Sequence, residues 1–319
     1  MPTPFARLDV SDWRVIRIET VGQSPTTWLQ EPSMGSSSDF HWIFKPAAIH
    51  SNGTRQGGDW SEKICSELAR LLGIPSAFVE LAVWNGQEGS ISKNVRPNGY
   101  DMHSGRLWMN ADPEVAYTSA TSTKSKRVSG ASPGYTIQNI ETSLMGSGPP
   151  PTHSPTSQLS AFEVFAGYLL FDAIVANRDR HEDNWAVLEP TIGDEPARIS
   201  PGYDYAGSLG YQLTDDKKSD LLEPGNRMKL VSWVNRGTAW RFDHGSAEMP
   251  TLVDLARQTF ENLSDGAQSH WASKLGSLTS VNLATILDRL PQMSEVSRRF
   301  ACEVILTNAG RITAWLPQP

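Results

Sequence analysis

Asn177-Arg178-Asp179-Arg180-His181-Glu182-Asp183-Asn184-Trp185 is the stretch that orders the rest of the chain, together with Asp204 in Pro201-Gly202-Tyr203-Asp204-Tyr205-Ala206-Gly207, twenty residues after Asn184. An apolar run from Leu159 to Ala176, carrying Phe162, Val164, Phe165, Leu169, Leu170, Ile174 and Val175, precedes it, and Trp185-Ala186-Val187-Leu188 follows. The pattern predicts a helix, a polar loop, a short strand and a second loop that bears an acid. An aspartate, an asparagine five residues later and a second aspartate beyond a short hairpin are what phosphoryl transfer from a magnesium nucleotide requires. The first acid orients and deprotonates the attacking hydroxyl, while the amide oxygen and the second carboxylate hold the metal ions that neutralise the phosphates. Oxygen donors of this kind suit Mg²⁺. Asp-x-x-x-x-Asn alone is ordinary loop composition. Its position after a long apolar helix and ahead of Asp204 is what gives it a chemical reading.

With 319 residues, 39% of them hydrophobic, the chain can bury a substantial core and is long for one compact unit, so two lobes are expected. No segment approaches the apolar length that spans a bilayer, and the N-terminus lacks the hydrophobic core of a signal peptide, so a soluble, cytoplasmic protein with no membrane partner is expected. Cys65 and Cys302 lie in amphipathic helical patterns, which favours buried thiols over a disulfide framework or metal site. A net charge of −7 and a pI near 5.5 argue against a broad nucleic-acid-binding face. The eleven tryptophans are scattered and are expected to fill the core or cover lobe surfaces.

Residues 11–50 alternate short apolar runs with turn residues: Trp13 to Ile18, Thr27 to Leu29, and Phe40 to Pro46. These predict β-strands, with Met34-Gly35-Ser36-Ser37-Ser38-Asp39 as a small-residue turn between two of them. Lys45 closes the strand after that turn, and a small-residue loop one strand before a lysine is how a nucleotide kinase covers the phosphates and pairs them with a cation. Asp59 is read as the N-cap of a helix carrying Ile64, Leu68, Leu71 and Leu72, stopped by Gly73 and Pro75. Glu62 and Glu67 lie on this helix, with Glu67 read as an exposed carboxylate. Residues 77–84 and 89–92 form a hairpin, in which Asn85-Gly86 supplies the positive φ of the turn. Thr118 to Pro133 is a Ser/Thr/basic stretch with hardly an apolar anchor and reads as a mobile loop. Ile137 to Met145 reads as a short helix and Gly146 to Pro155 as a linker. Beyond Asp204 the pattern is helical: Val231 to Trp240, Leu252 to Leu263, Ala267 to Leu275, Val281 to Leu290 and Val296 to Ile312. The predicted class is α+β, a protein-kinase-like bilobal fold with a small β-rich N-lobe over residues 1–110 and a larger α-helical C-lobe over residues 111–319.

Four pieces together resemble the HipA-type Ser/Thr protein kinases of bacterial toxin–antitoxin modules, whose catalytic lobe is distantly like that of phosphatidylinositol kinases. They are Trp42-Ile43-Phe44-Lys45, Trp60 to Ala69 running on to Gly73, Asn177 to Trp185, and Asp204 to Gly210; the helical tail from Ser294 to Ile312 looks like the family's last helix. The resemblance runs from about residue 28 to the end. It implies Asp179 as catalytic base, Asn184 and Asp204 as Mg²⁺ ligands, Lys45 as the contact to the ATP phosphates, and Glu62 as the partner of Lys45. Arg180 and His181 match positions that brace the catalytic loop. The cofactors implied are ATP and Mg²⁺, and the phosphate-covering loop, taken from position as Ser36, Ser37 and Ser38, is expected to carry an autophosphorylation site whose charge would repel nucleotide. The chain is too short to include the N-terminal subdomain of full-length HipA toxins, which counts against a DNA-binding antitoxin as partner. An antitoxin or other regulator, with a protein substrate, is the class of partner the resemblance implies.

Two other readings use the same residues. A lipid or small-molecule kinase employs the same Asp/Asn/Asp machinery, since fold does not determine the acceptor. A nucleotide-binding pseudokinase scaffold is disfavoured by the complete set Lys45, Asp179, Asn184 and Asp204. A hydrolase metal site at His181, Glu182 and Asp183 is disfavoured because adjacent loop side chains point apart and no second His cluster lies at ligand spacing.

Overall fold

Period-two alternation at the start of the chain and apolar helical runs at its end divide the secondary structure of the computed structural model. It describes residues 2–19, 26–32, 35, 37–49, 53–119, 131–291 and 293–316. In order, the elements are β1 (Arg7–Asp9), β2 (Arg14–Glu19), β3 (Thr26–Gln30), β4 (His41–Pro46), α1 (Gly58–Leu72), β5 (Val79–Trp84), β6 (Gln87–Lys93), β7 (Tyr100–Ser104), α2 (Gly105–Ala111) and α3 (Ile137–Ser143). There follow α4 (Ala161–Val175), β8 (Ala186–Pro190), β9 (Arg198–Ile199), α5 (Asp215–Leu222), α6 (Arg227–Asn235), α7 (Leu252–Phe260), α8 (Asp265–Leu275), α9 (Ser280–Leu287) and α10 (Glu295–Thr313). The result is the expected α+β arrangement, a β-sheet N-terminal region and a helical C-terminal region.

The N-terminal sheet is six-stranded, in the order β1-β5-β6-β4-β3-β2, antiparallel except for the β1–β5 pair. The β5–β6 hairpin turns at Asn85 (φ 49°) and Gly86 (φ 79°), as Asn-Gly requires. Helix α1 packs on this sheet through Ile64, Cys65, Leu68 and Leu72 and ends at Gly73, whose φ of 64° lets its N–H reach the Ala69 carbonyl. Gly57, not Asp59, is the N-cap. Asp59 lies inside the first turn, buried, where it complements the positive helix end and binds Arg55 at 2.6 Å. β7 and α2 follow a turn at residues 94–99 and join the second sheet, β7-β8-β9, rather than the first.

Helix α4 is buried along almost its whole length and apolar on every side, which makes it the axis of the helical region rather than a surface helix. Its start is fixed by a capping box, in which Ser160 N–H donates to Glu163 at 2.8 Å and Glu163 N–H to Ser160 Oγ at 3.2 Å. It stops at Ala176, which takes a left-handed φ of 55° and turns the chain into Asn177. Helix α6 ends five residues before the expected Trp240, at Asn235, because Gly237 follows and bonds back to the Val234 carbonyl. Cys65 and Cys302 are free thiols. Trp185 and Trp271 are fully buried, as the core reading expects.

One close approach bears on the site. A Cβ at Gly89 would lie 2.1 Å from the Lys45 carbonyl oxygen across the β4–β6 pair. Gly89→Ala is therefore expected to push β4 aside, lowering stability by about 1–3 kcal/mol and weakening Mg-ATP binding. Denaturant titration and calorimetry of the variant check both effects, and an unchanged nucleotide affinity would refute the second.

Candidate active site

The loop after α4 is held by a buried carboxylate within α4 itself. Asp172 accepts from Arg180 Nε at 2.8 Å, Arg180 Nη2 at 2.9 Å and Asn177 Nδ2 at 2.7 Å. Arg180, only 1% exposed, also donates to the Asn184 and Tyr203 carbonyls and lies against the Tyr205 ring. One guanidinium thus ties α4, the 177–185 loop and the Asp204 loop together, which is the bracing role expected of it. Tyr135 OH donates to the Arg180 carbonyl at 3.2 Å, and Trp185 Nε1 to Tyr135 OH at 3.1 Å.

On this frame the Asp179 N–H donates to Asn177 Oδ1 at 3.2 Å, and the Asp179 side chain is 44% exposed at the loop surface. Asn184 Nδ2 donates to the Asp179 carbonyl at 2.6 Å, which fixes the amide and turns its Oδ1 away from that bond. His181 accepts from the Asp183 N–H at Nδ1, 3.2 Å away, and burial lowers its pKa, so the ring is neutral with its proton on Nε2. Glu182 accepts from Tyr117 OH at 3.1 Å, just ahead of the Ser/Thr/basic stretch, and from Ser132 Oγ near its end; residues 120–130 of that stretch lie outside the described residues.

Asp204 takes φ 61°, a left-handed conformation that Asp tolerates better than most residues. Its Oδ1 lies 2.8 Å from Lys45 Nζ, and Glu62 Oε1 lies 3.8 Å from the same nitrogen. Burial raises the Asp204 pKa, but the Lys45 ammonium outweighs it and the net shift is down. Burial works against the charge on Lys45, and Asp204 and Glu62 overcome it, so the lysine stays protonated. Glu62 is pushed up to about 7, first by burial and then by Asp204, against the pull of Lys45. Ser61 Oγ donates to the Tyr205 and Ser208 carbonyls at 3.2 and 3.0 Å, pinning α1 to the Asp204 loop. Glu67, expected to be exposed, is instead buried between Lys63 (2.7 Å) and Arg70 (2.6 Å), away from Lys45. The charge on Lys63, itself buried, demands that partner.

A cleft of about 810 Å³ opens between the sheet and the helical region. Lys45, Glu62 and Asp204 line its polar end, and Trp28, Ile43, Met102 and Leu107 supply apolar surface. The predicted phosphate-covering serines do not join them. Ser36 lies outside the described residues, Ser37 Oγ is engaged with Asp39 at 2.9 Å, and the Ser38 carbonyl accepts from Asn94 at 3.1 Å. In the β3–β4 register Gln30 pairs with His41 and Thr27 with Phe44, so the loop holding Ser37 and Ser38 leaves β4 at the end opposite Lys45, roughly 13 Å away along the strand. The β2–β3 connection has its flanks at the Lys45 end, where Glu19 pairs with Thr26; residues 20–25 lie outside the described residues.

Sequence reading missed two residues of the site. Asp172 carried a signal, since an acid inside a continuous apolar helix needs a buried cation. Arg241 carried none: it lies 62 positions beyond Asp179 and donates from Nε to Asp179 Oδ1 at 2.6 Å.

The sheet-and-helix arrangement, with a lysine strand, a paired helix glutamate and the Asp204 loop at the cleft, is the kinase-like fold; Asp179 and Asn184 are not among the residues that line the cleft. Solved structures that share this fold include the following two. The proinflammatory kinase CtkA of Helicobacter pylori superposes with a TM-score of 0.70 at 13% identity, covering 97% of this chain and 98% of that one. HipA of Shewanella oneidensis MR-1, in a toxin–antitoxin complex with HipB and operator DNA, superposes with a TM-score of 0.55 at 12% identity, covering 98% of this chain and 68% of that one. No protein-family model and no curated protein sequence matches the chain.

Proposed function

We propose that this protein is an ATP- and Mg²⁺-dependent phosphotransferase, a HipA-type kinase that transfers the γ-phosphoryl group to a Ser or Thr hydroxyl of a protein. The observation that carries the reading is the meeting of Lys45, Glu62 and Asp204 at the polar end of the cleft, from three separate elements. Lys45 would bind the phosphates, with Glu62 holding it in place as it leaves Asp204. Asn184 and Asp204 would hold Mg²⁺. Among the described residues no three His, Cys, Asp or Glu side chains form a metal cage, and one amide oxygen with one carboxylate suits an ion that takes its remaining ligands from phosphate and water. The metal, when bound, offsets charge on the β- and γ-phosphates. Asp179 accepts the hydrogen bond of the attacking hydroxyl; as its oxygen bonds to phosphorus the bond to ADP breaks, ADP leaves with the electron pair, and the hydroxyl proton passes to Asp179.

CtkA is a kinase and HipA is part of a toxin–antitoxin system with HipB, which supports the reading and suggests an antitoxin-like protein as regulator. No helix among the described residues is long and apolar enough to cross a membrane. Incubation of purified protein with γ-labelled ATP and Mg²⁺, followed by mass spectrometry, tests for transfer and for autophosphorylation. Label on the protein is expected; hydrolysis of ATP with no labelled protein would overturn the protein-kinase assignment. Asp204→Ala is expected to weaken Mg-ATP binding rather than only slow the chemistry, because the phosphates lose their counter-charge. Calorimetry giving the variant wild-type affinity for Mg-ATP would rule out the ligand role.

A further inference from the structure

We infer that Arg241 is a positioning residue for the base, clamping one carboxylate oxygen of Asp179 so that the other faces the acceptor hydroxyl. The inference rests on the phosphotransfer reading above. Nε and Nη2 of Arg241 both contact Oδ1 of Asp179, and among the described residues no hydrogen bond goes to Oδ2. A two-point clamp on one oxygen removes the rotation of an otherwise exposed carboxylate without occupying the oxygen that must meet the substrate.

The clamp is built rather than incidental. The guanidinium carbon stacks 4.0 Å from the Trp240 ring, leaving the donor edge free. The loop that carries both residues is closed at its base, where Leu252 N–H donates to the Gly237 carbonyl at 2.8 Å and Ala239 N–H to the Pro250 carbonyl at 3.0 Å. Arg178, next to the base, donates to Thr238 Oγ1 at 3.3 Å and joins that loop to the catalytic one. Arg241, 19% exposed in its side chain, belongs to neither hydrophobic core cluster, so its removal takes nothing from the apolar core. The same geometry could describe a latch that blocks the base. The Oδ2 without a hydrogen bond favours positioning, and the two differ in sign: release of a latch raises activity, and loss of a clamp lowers it.

The test compares wild type, Arg241→Ala, Arg241→Lys and Asp179→Asn, using γ-labelled Mg-ATP with casein added as acceptor. Arg241→Ala is expected to lose roughly 10²-fold in kcat, with the KM for ATP and the melting temperature near wild type. Arg241→Lys, which keeps the charge but not the fork, should recover only part of the rate. Guanidinium ion added at millimolar levels should restore transfer to Arg241→Ala and not to Asp179→Asn. An Arg241→Ala enzyme as fast as wild type or faster overturns the positioning role. So does a loss confined to KM, or a loss that tracks a fall in melting temperature and resists guanidinium. A wild-type protein that transfers no label to itself or to casein is a different failure: it removes the phosphotransfer reading, and the positioning role falls with it.

Discussion

Asp179→Asn should abolish most phosphoryl transfer while leaving the fold and nucleotide binding in place. The Asp179 side chain takes no part in the core; its backbone carbonyl, not its carboxylate, holds Asn184, and Asn177 binds its N–H. An amide of the same shape therefore preserves the loop. What it removes is the anionic acceptor that orients the attacking hydroxyl and takes its proton, for which a loss of roughly 10²–10⁴-fold in kcat is expected. The rate of label transfer under saturating Mg-ATP, alongside a calorimetric affinity, separates chemistry from binding. If Asp179→Asn transfers phosphate at the wild-type rate, the base lies elsewhere. Arg241 sharpens the expectation, because its fork binds a neutral amide oxygen less strongly than the carboxylate of Asp179.

The second large effect is on stability. Asp172→Ala should destabilise the protein by about 3–5 kcal/mol, since it leaves the Arg180 guanidinium buried without a counter-charge. It also frees Asn177 and strips the 177–185 loop of its link to α4, so activity should fall further than the loss of folded protein accounts for. Urea unfolding at neutral pH reads the first effect, and transfer rates measured well below the unfolding transition read the second. Asp172→Asn, which keeps an acceptor but not the charge, should fall between. A change below about 1 kcal/mol for Asp172→Ala would mean that water or another acceptor satisfies Arg180, against the bracing role.

The local sequence was sufficient wherever a short-range rule acted alone. The apolar run of α4 with its Ser160–Glu163 box, the Asn85-Gly86 turn, Gly73 at the end of α1 and the strand alternation through Lys45 all follow from periodicity and backbone sterics. Those elements made a two-region α+β fold legible in advance, and the spacing of Asp179, Asn184 and Asp204 singled out the loop proposed above as catalytic. Tertiary structure decided what depends on which ends and faces meet. Glu62 rather than Glu67 approaches Lys45, because Glu67 is taken up by Lys63 and Arg70. Ser37 and Ser38 fall at the far end of β4 because the antiparallel register, which spacing alone does not reveal, directs the β3–β4 loop away from Lys45. Asp172 with Arg180, and Arg241 with Asp179, are contacts across a helix end and across 62 residues of chain. An acid inside an apolar helix signals that a cation must meet Asp172 but not which one, and the Arg241–Asp179 pair gives no local signal, because each pair forms only once packing has fixed its two partners.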